Sequence, residues 1–378
     1  MDANMRPKGS GWEKQIPPPR EGPRTAGHGG ESPSQEAATP TRGAVQVVLT
    51  IDTEPDNAWE NHLNHSVANV QELIRLQDVL ATYGAKGTCL VTTRVIENPE
   101  AVDVLRDLLS TGSAEIGAHL HPWESPPFTE SGLDMHHPAY PHELSLEIFR
   151  RKLEGLTEAI ARDFKAPTCY RGGRWSIVAS HLPVLEHAGF EADTSVTPLT
   201  NWRTTVGIPW KLKGCGGMDY RLAPCHPYHP DYTDVTREGA AGIVEVPVTM
   251  AFTRRVPGFV YSRYGRLPSL LQRVLRRSNV LKPVWALPTQ ETGPALKEML
   301  SVVLRGRVDI INIAMHSSEL MVGGSPWSRT GAEVDGVFSR LASMLSILAS
   351  SPLCQFTTLT DAARHWRTSN KSSAKLGP

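Results

Sequence analysis

Two histidines stand two residues apart in Glu115-Ile116-Gly117-Ala118-His119-Leu120-His121-Pro122-Trp123, where an apolar run meets a loop broken by proline. Side chains at i and i+2 of an extended segment point to the same side. Imidazole is the commonest protein ligand for metals, so a pair aimed one way from a strand end can supply half of a zinc site. The other half calls for a carboxylate from a second strand end. Val47-Val48-Leu49-Thr50-Ile51-Asp52-Thr53-Glu54 offers two, Asp52 and Glu54, again two apart. Surface histidines and strand-terminal acids are ordinary when taken singly; the joint presence of two pairs with matching spacing is the stronger signal.

Groups so far apart in sequence meet only if strands carry them to a common end. From Val45 the chain alternates apolar runs with helical patterns, the signature of a mostly parallel sheet covered by helices. The first strand ends at Asp52–Glu54. A helix is expected from about Val67 to Tyr83, with Leu73, Leu76, Val79 and Leu80 on one stripe and Gly84 as its stop. A second strand follows at Thr88–Thr92, then a helix opened by Pro99 and closed near Gly112. The third strand, Ala114–His121, delivers the histidines. Later elements are a helix over Glu143–Phe164, a fourth strand at Thr168–Arg171, the turn Gly172-Gly173-Arg174-Trp175 and a helix over Ile177–Ala188. Strands at Phe190–Ser195, Gly242–Thr249 and Val308–His316, a helix over Ala332–Ala349 and a short strand at Cys354–Leu359 complete the pattern.

Two long irregular stretches, 122–141 and 196–241, are of the kind that rims a site. The second carries Trp202, Trp210, Tyr220, Tyr228 and Tyr232, which either form the loop's own small core or stack on sugar rings. Residues 1–43, with seven Pro and seven Gly, cannot bury enough surface to offset their ordering entropy and read as a disordered tail. The folded domain is expected over 44–367, with a loose tail at 368–378.

With 378 residues, 40% hydrophobic and 21% charged, the chain can build a full core. A formal net charge of zero gives no reason to expect nucleic acid as a partner. The basic cluster Arg273, Arg276 and Arg277 reads as a solvated helix face. Five scattered cysteines do not suggest a disulfide framework and fit a reducing compartment. Cys215 and Cys225 with His226 and His229 match no usual zinc-finger spacing. No stretch has the length of a membrane span, and no signal-peptide core is visible, so a cytoplasmic location is expected.

In a barrel of parallel strands, catalytic groups gather where the strands' C-terminal ends open into loops. Asp52, Glu54, His119, His121, Arg171, Asp193 and His316 all fall at or just past such ends. Singly, Arg171 and Asp193 could be a buried ion pair and His316 a core histidine; together they point to a site.

The ordered set Thr50-Ile51-Asp52-Thr53-Glu54, Glu115-Ile116-Gly117-Ala118-His119 with His121-Pro122, Tyr170-Arg171-Gly172-Gly173, Asp193-Thr194-Ser195 and Ile313-Ala314-Met315-His316 resembles the five motifs of NodB-type polysaccharide deacetylases, carbohydrate esterase family 4. His316-Ser317-Ser318-Glu319-Leu320 with Gly323-Gly324-Ser325-Pro326 is similar to a WalW-like branch of that superfamily. The resemblance covers roughly residues 45–366. It implies an α/β fold, a distorted (β/α)7-type barrel, and metal-dependent removal of an N- or O-acetyl group from a sugar or polysaccharide.

Carried over residue by residue, Asp52 would be the general base, and Glu54, His119 and His121 the ligands of a divalent metal, Zn2+ by preference. Arg171 would orient Asp52, and His316, tuned by Asp193, would protonate the leaving group. A backbone N–H near Gly173-Arg174 would face the oxyanion, and Trp123, Arg174 and Trp175 would contact the acetylated carbohydrate. The sequence departs from the family pattern at three points. Thr53 separates acids that are normally adjacent, the histidines are two apart where four is usual, and Gly172-Gly173 replaces a Pro-rich motif. Asp56 and Glu124 stay open as alternative third ligands. A glycoside hydrolase on a related barrel, or a non-catalytic carbohydrate-binding relative, remains an alternative function.

Overall fold

Strand β1 (Val45–Thr53) is buried along its whole length, as a strand paired on both edges and covered on both faces must be. It belongs to a computed structural model that describes residues 44–277, 281–306 and 308–374. The expected disordered tail 1–43 and the last four positions of the expected C-terminal tail lie outside the described residues. The other strands are β2 (Gly87–Val91), β3 (Ala114–Leu120), β4 (Cys169–Gly172), β5 (Ala192–Asp193), β6 (Val244–Glu245), β7 (Met250–Phe252), β8 (Pro283–Trp285), β9 (Ile310–His316) and β10 (Cys354–Phe356).

Strand β1 pairs in parallel with β9 through Gln46–Asp52 and, on its other edge, with β2 through Leu49–Thr53 and β10 through Val45–Val47. Pairing continues in parallel from β2 to β6. Between β6 and β9 the ladder is replaced by side chains. The Asn312 amide donates to Thr194 Oγ1 at 2.8 Å and to the Val246 carbonyl at 3.1 Å, while its backbone N–H donates to Thr249 Oγ1 at 2.8 Å. Ala286, just after β8, also spans the gap: it donates to Thr249 O at 2.9 Å and accepts from Ala314 N–H at 3.0 Å. Strands β1 to β6 and β9, seven of the eight strands in this parallel sheet, closed in this irregular way are the distorted barrel that the motif order implied.

Several elements differ from the sequence expectation for identifiable reasons. Strand β5 stops at Asp193 because the Thr194 carbonyl is taken by Arg171 Nε at 3.0 Å and Val196 N–H by Glu245 Oε1 at 3.1 Å. The helix expected from Glu143 starts at Leu146, with Ser145 as its cap. Glu143 instead accepts from the backbone of Tyr140, Ile208 and Cys215, pinning the two long loops to each other. Helix Leu182–His187 is shorter than expected because the chain enters it through a 3-10 turn at Ala179–His181. Finally, β10 ends at Phe356, and a helix runs over Leu359–Ala374 where a strand end and a loose tail were expected. Leu359, Ala362, Ala363 and Trp366, spaced i, i+3, i+4 and i+7, pack on Val48, Cys169, Ala192, Val244 and Ile310 near the strand starts. That apolar stripe closes the barrel end opposite the loops that carry the acids and imidazoles.

Candidate active site

The parallel register sets Asp52 beside His316 across β1 and β9, and His119 beside Arg171 across β3 and β4. Four motifs distant in sequence therefore meet at the same end of the sheet. Because His119 and His121 are i and i+2 on an extended segment, both rings face the barrel axis, and their Nε2 atoms lie 3.0 Å apart.

The outer nitrogen of His119 is hydrogen-bonded, while that of His121 faces a carboxylate without a hydrogen bond in register. His119 Nδ1 is 2.9 Å from the Arg171 carbonyl, which can only accept, so Nδ1 carries the proton and Nε2 presents a lone pair. His121 Nδ1 lies 3.1 Å from Glu124 Oε1, a carboxylate behind a ring of the kind that orients metal-binding histidines. Burial pushes both imidazoles down to about 3, so both are neutral near pH 7. Glu54 Oε2 is 3.3 Å from His121 Nε2 and 3.8 Å from His119 Nε2. With the His121 proton on Nε2 the two nitrogens share a hydrogen bond; with it on Nδ1, beside Glu124, both Nε2 lone pairs and the Glu54 oxygen converge and suit an electron-pair acceptor. Burial, reinforced by the Asp52 and Glu124 charges, pushes Glu54 up to about 8. A cation would reverse that penalty.

Glu54, His119 and His121 are the only such group among the described residues, with ligand atoms all within 4.8 Å of one another. Two imidazoles and a carboxylate suit a divalent metal. The alternative ligands are committed elsewhere. Asp56 accepts from Ser66 Oγ, from Asn69 N–H at 3.0 Å and from the Asn69 amide at 2.6 Å, and so shapes its own loop. Glu124 sits behind His121, 3.6 Å from Arg94. Of the other suggested cluster, His226 pairs with Glu238 and His229 with the Ile243 carbonyl, leaving no convergence with Cys215 and Cys225.

Asp52 stands beside this group. Its Oδ1 is 2.5 Å from Arg171 Nη1, and its Oδ2 is 3.5 Å from His316 Nε2 and 3.9 Å from His119 Nε2. Burial alone would raise the carboxyl, but Arg171, His119 and His316 outweigh it and bring it down to about 2. Arg171 is fully enclosed: besides Asp52 it donates to Thr50 Oγ1 at 2.7 Å and to Thr194 O and Oγ1. The possible Arg171–Asp193 pair is thus replaced by Arg171–Asp52.

The expected tuning of His316 by Asp193 is corrected. Asp193 is spent on its own turn, accepting from Ser195 Oγ at 2.7 Å and Ser195 N–H at 3.3 Å. The carboxylate at His316 belongs to Glu319, whose Oε1 is 3.3 Å from His316 Nδ1 and whose Oε2 accepts the His316 backbone N–H at 3.0 Å. Thr289 Oγ1 donates to the same Oε2 at 2.5 Å and locks it. Burial works against the imidazolium, yet Glu319, Glu54 and Asp52 together hold His316 up at about 9.

The expected substrate contacts are also partly corrected. Trp123 is buried and stacks on His121 with centroids 4.2 Å apart, so it backs a ligand ring and offers no face to solvent. Arg174 ties loops together, donating to the Pro138 and Val206 carbonyls and lying over the Tyr140 ring. Trp175 does line the site, with Arg171 4.6 Å from its ring centre. The exposed aromatic face comes from residues not singled out in the sequence. Trp59 and Trp327, 37% and 38% exposed, stand edge to face 5.3 Å apart, and Trp59 is 4.6 Å from the His316 ring. Both occupy loops just past strand ends, the one signal that could have found them.

Gly173 meets a steric demand, not a conformational one. A Cβ there would stand 2.5 Å from Leu120 O and 2.7 Å from His121 Cδ2. Its N–H donates to Leu120 O at 3.0 Å and is unavailable to an oxyanion. The next two residues, Arg174 and Trp175, both adopt left-handed backbone, φ 57° and 61°. Their amides donate to no protein acceptor among the described residues.

No family model and no curated protein matches this sequence. Solved structures do. A candidate polysaccharide deacetylase from Mycobacterium smegmatis aligns over 92% of this chain and 96% of its own, with a TM-score of 0.50 and 17% identity. A candidate glycoside hydrolase/deacetylase from Parabacteroides distasonis aligns over 86% of this chain and 71% of its own, with a TM-score of 0.55 and 12% identity. The likeness is one of fold, and the chain has the barrel fold of the polysaccharide deacetylases.

Proposed function

We propose that this chain is a metal-dependent hydrolase that removes acetyl groups from a sugar or polysaccharide. The observation that carries the reading is the convergence of Glu54, His119 and His121 beside an ionised Asp52 and a protonated His316. The barrel shared with deacetylase structures supports it. Glu54, His119 and His121 would hold the ion, and zinc suits their mixed nitrogen and oxygen set. When bound, such an ion supplies Lewis acidity toward an acetyl carbonyl and toward water.

The chain's own residues do the rest. Asp52, kept charged by Arg171, accepts the proton of the attacking water. His316, charged across most of the working pH range, donates a proton to the departing amine or alkoxide. One proton taken and one given leave the net charge of the site unchanged. The Arg174 and Trp175 amides are the donors near which the oxyanion would form, and Trp59 and Trp327 give a sugar ring an apolar face to lie on.

The test is acetate release from acetylated oligosaccharides, with metal-stripped protein and with protein reloaded with zinc. Release only after reloading, and loss of bound zinc in His119→Ala, are expected. Cleaved glycosidic bonds without acetate would move the assignment to a glycoside hydrolase. Carbohydrate binding with neither metal nor product would move it to a non-catalytic relative.

A further inference from the structure

The segment between β6 and β9 carries a surface that is both basic and apolar. From Val246 to Gln290 it has seven arginines and one lysine and not a single Asp or Glu, in a chain whose net charge is zero. Arg254, Arg255, Arg263, Arg266, Arg273, Arg276 and Arg277 are all exposed, and among the described residues none pairs with a carboxylate. On the same surface large apolar side chains face water: Phe259 is 59% exposed, Leu270 71% and Val274 54%, with Leu271 beside them.

The two sets are sorted on one helix, Ser269–Arg277. Leu270, Leu271 and Val274, at i, i+1 and i+4, share its exposed apolar face, and Arg273, Arg276 and Arg277 occupy the adjoining arc. Gln272, whose amide donates to Tyr264 O at 2.9 Å and Leu267 O at 3.2 Å, fixes the opposite side to the neighbouring helix Gly258–Arg266. Leu275 packs with Phe252 and Tyr264 in the small core beneath. The amphipathic face is therefore held outward by its own packing.

We infer that this face docks on an anionic lipid surface, with Phe259, Leu270 and Val274 entering the interface and the arginines lying among lipid phosphates. A polyanion such as nucleic acid would use the arginines but gain nothing from the apolar side chains, and a neutral apolar partner would leave seven charges unanswered. An anionic bilayer answers both. Arginine suits that boundary, since its stem can lie along apolar surface while its guanidinium grips phosphate. No helix among the described residues is long and apolar enough to cross a membrane, so the contact would be peripheral.

The full chain should float with phosphatidylcholine vesicles containing phosphatidylglycerol and stay behind with pure phosphatidylcholine, and added salt should weaken the binding. Arg273→Gln with Arg277→Gln should lower partitioning by roughly thirtyfold, at the usual contribution of a basic residue near such a surface. Leu270→Ser with Val274→Ser should lower it comparably, with unchanged circular dichroism. Equal flotation with both vesicle types, or with neither, overturns the inference. So does binding to heparin or duplex DNA that survives Leu270→Ser with Val274→Ser while vesicle binding is absent, since the surface would then be a polyanion site.

Discussion

Arg171 and Asp52 form a buried ion pair, Nη1 to Oδ1 2.5 Å, with neither side chain more than 3% exposed. Such a pair does two jobs: it keeps a carboxylate charged where burial would neutralise it, and it fixes which oxygen points at the metal-binding group. Removing one partner leaves the other as an uncompensated buried charge. Arg171→Met should therefore cost about 3–5 kcal/mol in denaturant unfolding. Adding Asp52→Asn should restore part of it, because the stranded charge is then gone. The pair also fixes the sign of an acid effect. Asp52 is depressed from 3.8 to about 2 in the folded protein, so its contribution is complete above pH 3.8 and disappears as pH falls through about 2. Stability of wild type and Asp52→Asn, measured between pH 5 and 2, should converge at the acid end by about 2 kcal/mol.

The base and the ligands should separate in mutants. Asp52→Asn leaves Glu54, His119 and His121 in place, so metal content should hold while kcat drops by about 10²–10⁴. His121→Ala removes one of three ligands and the ring on which Trp123 stacks, and bound metal itself should be lost. Elemental analysis beside turnover checks both. Full activity in Asp52→Asn would end its assignment as base.

What could be read from the sequence and what could not divide along physical lines. Asp52, Glu54, His119, His121, Arg171 and His316 were legible because each sits where an apolar strand run turns polar, and parallel strands bring such positions to one end. The i, i+2 spacing told which way the histidines point, since pleating is local. Partner choice was not legible. Asp193 stands at a strand end like the others, but Ser195 and Glu245 claim its carboxyl, which only the folded backbone decides. Glu319, three residues after His316, had a readable spacing for a 3-10 turn that returns its side chain to the ring. The two-residue strands β5 and β6 were overextended because side chains take the backbone groups that would have lengthened them. Exposure was illegible too: Trp123 and Trp59 both lie in loops, and burial separates a backing ring from an open one.

Glu319 gives the cleanest pH experiment. His316 is held up at about 9 against burial, with Glu319 the largest of the charges that raise it. A raised value means the imidazolium persists below about pH 9 and is lost above it, so the alkaline limb of kcat should fall near there. Glu319→Gln keeps the shape and an acceptor for His316 N–H while deleting the charge, so the limb should move to lower pH with metal content unchanged. An unmoved limb in Glu319→Gln would assign the acid step to another group.

Gly173 tests the steric argument without touching a catalytic group. Its backbone lies against the ring of His121, and the single methyl of Gly173→Ala would meet both Leu120 O at 2.5 Å and His121 Cδ2 at 2.7 Å. The carbonyl belongs to β3 and cannot swing away, so either the 172–175 turn retreats or the His121 ring tilts. The tilt pulls a nitrogen from a site whose ligand atoms have little room to spare, and it is the expected outcome because the turn is tied to Leu120 O through the Gly173 N–H. Second-sphere changes that misplace a ligand typically weaken metal binding by about 10–100-fold, and overpacking adds about 1–3 kcal/mol of destabilisation. Zinc affinity by chelator competition, read beside thermal unfolding of the metal-free protein, distinguishes the two contributions. Gly173→Ala with wild-type affinity and unfolding would show that the turn can move freely and does not brace His121.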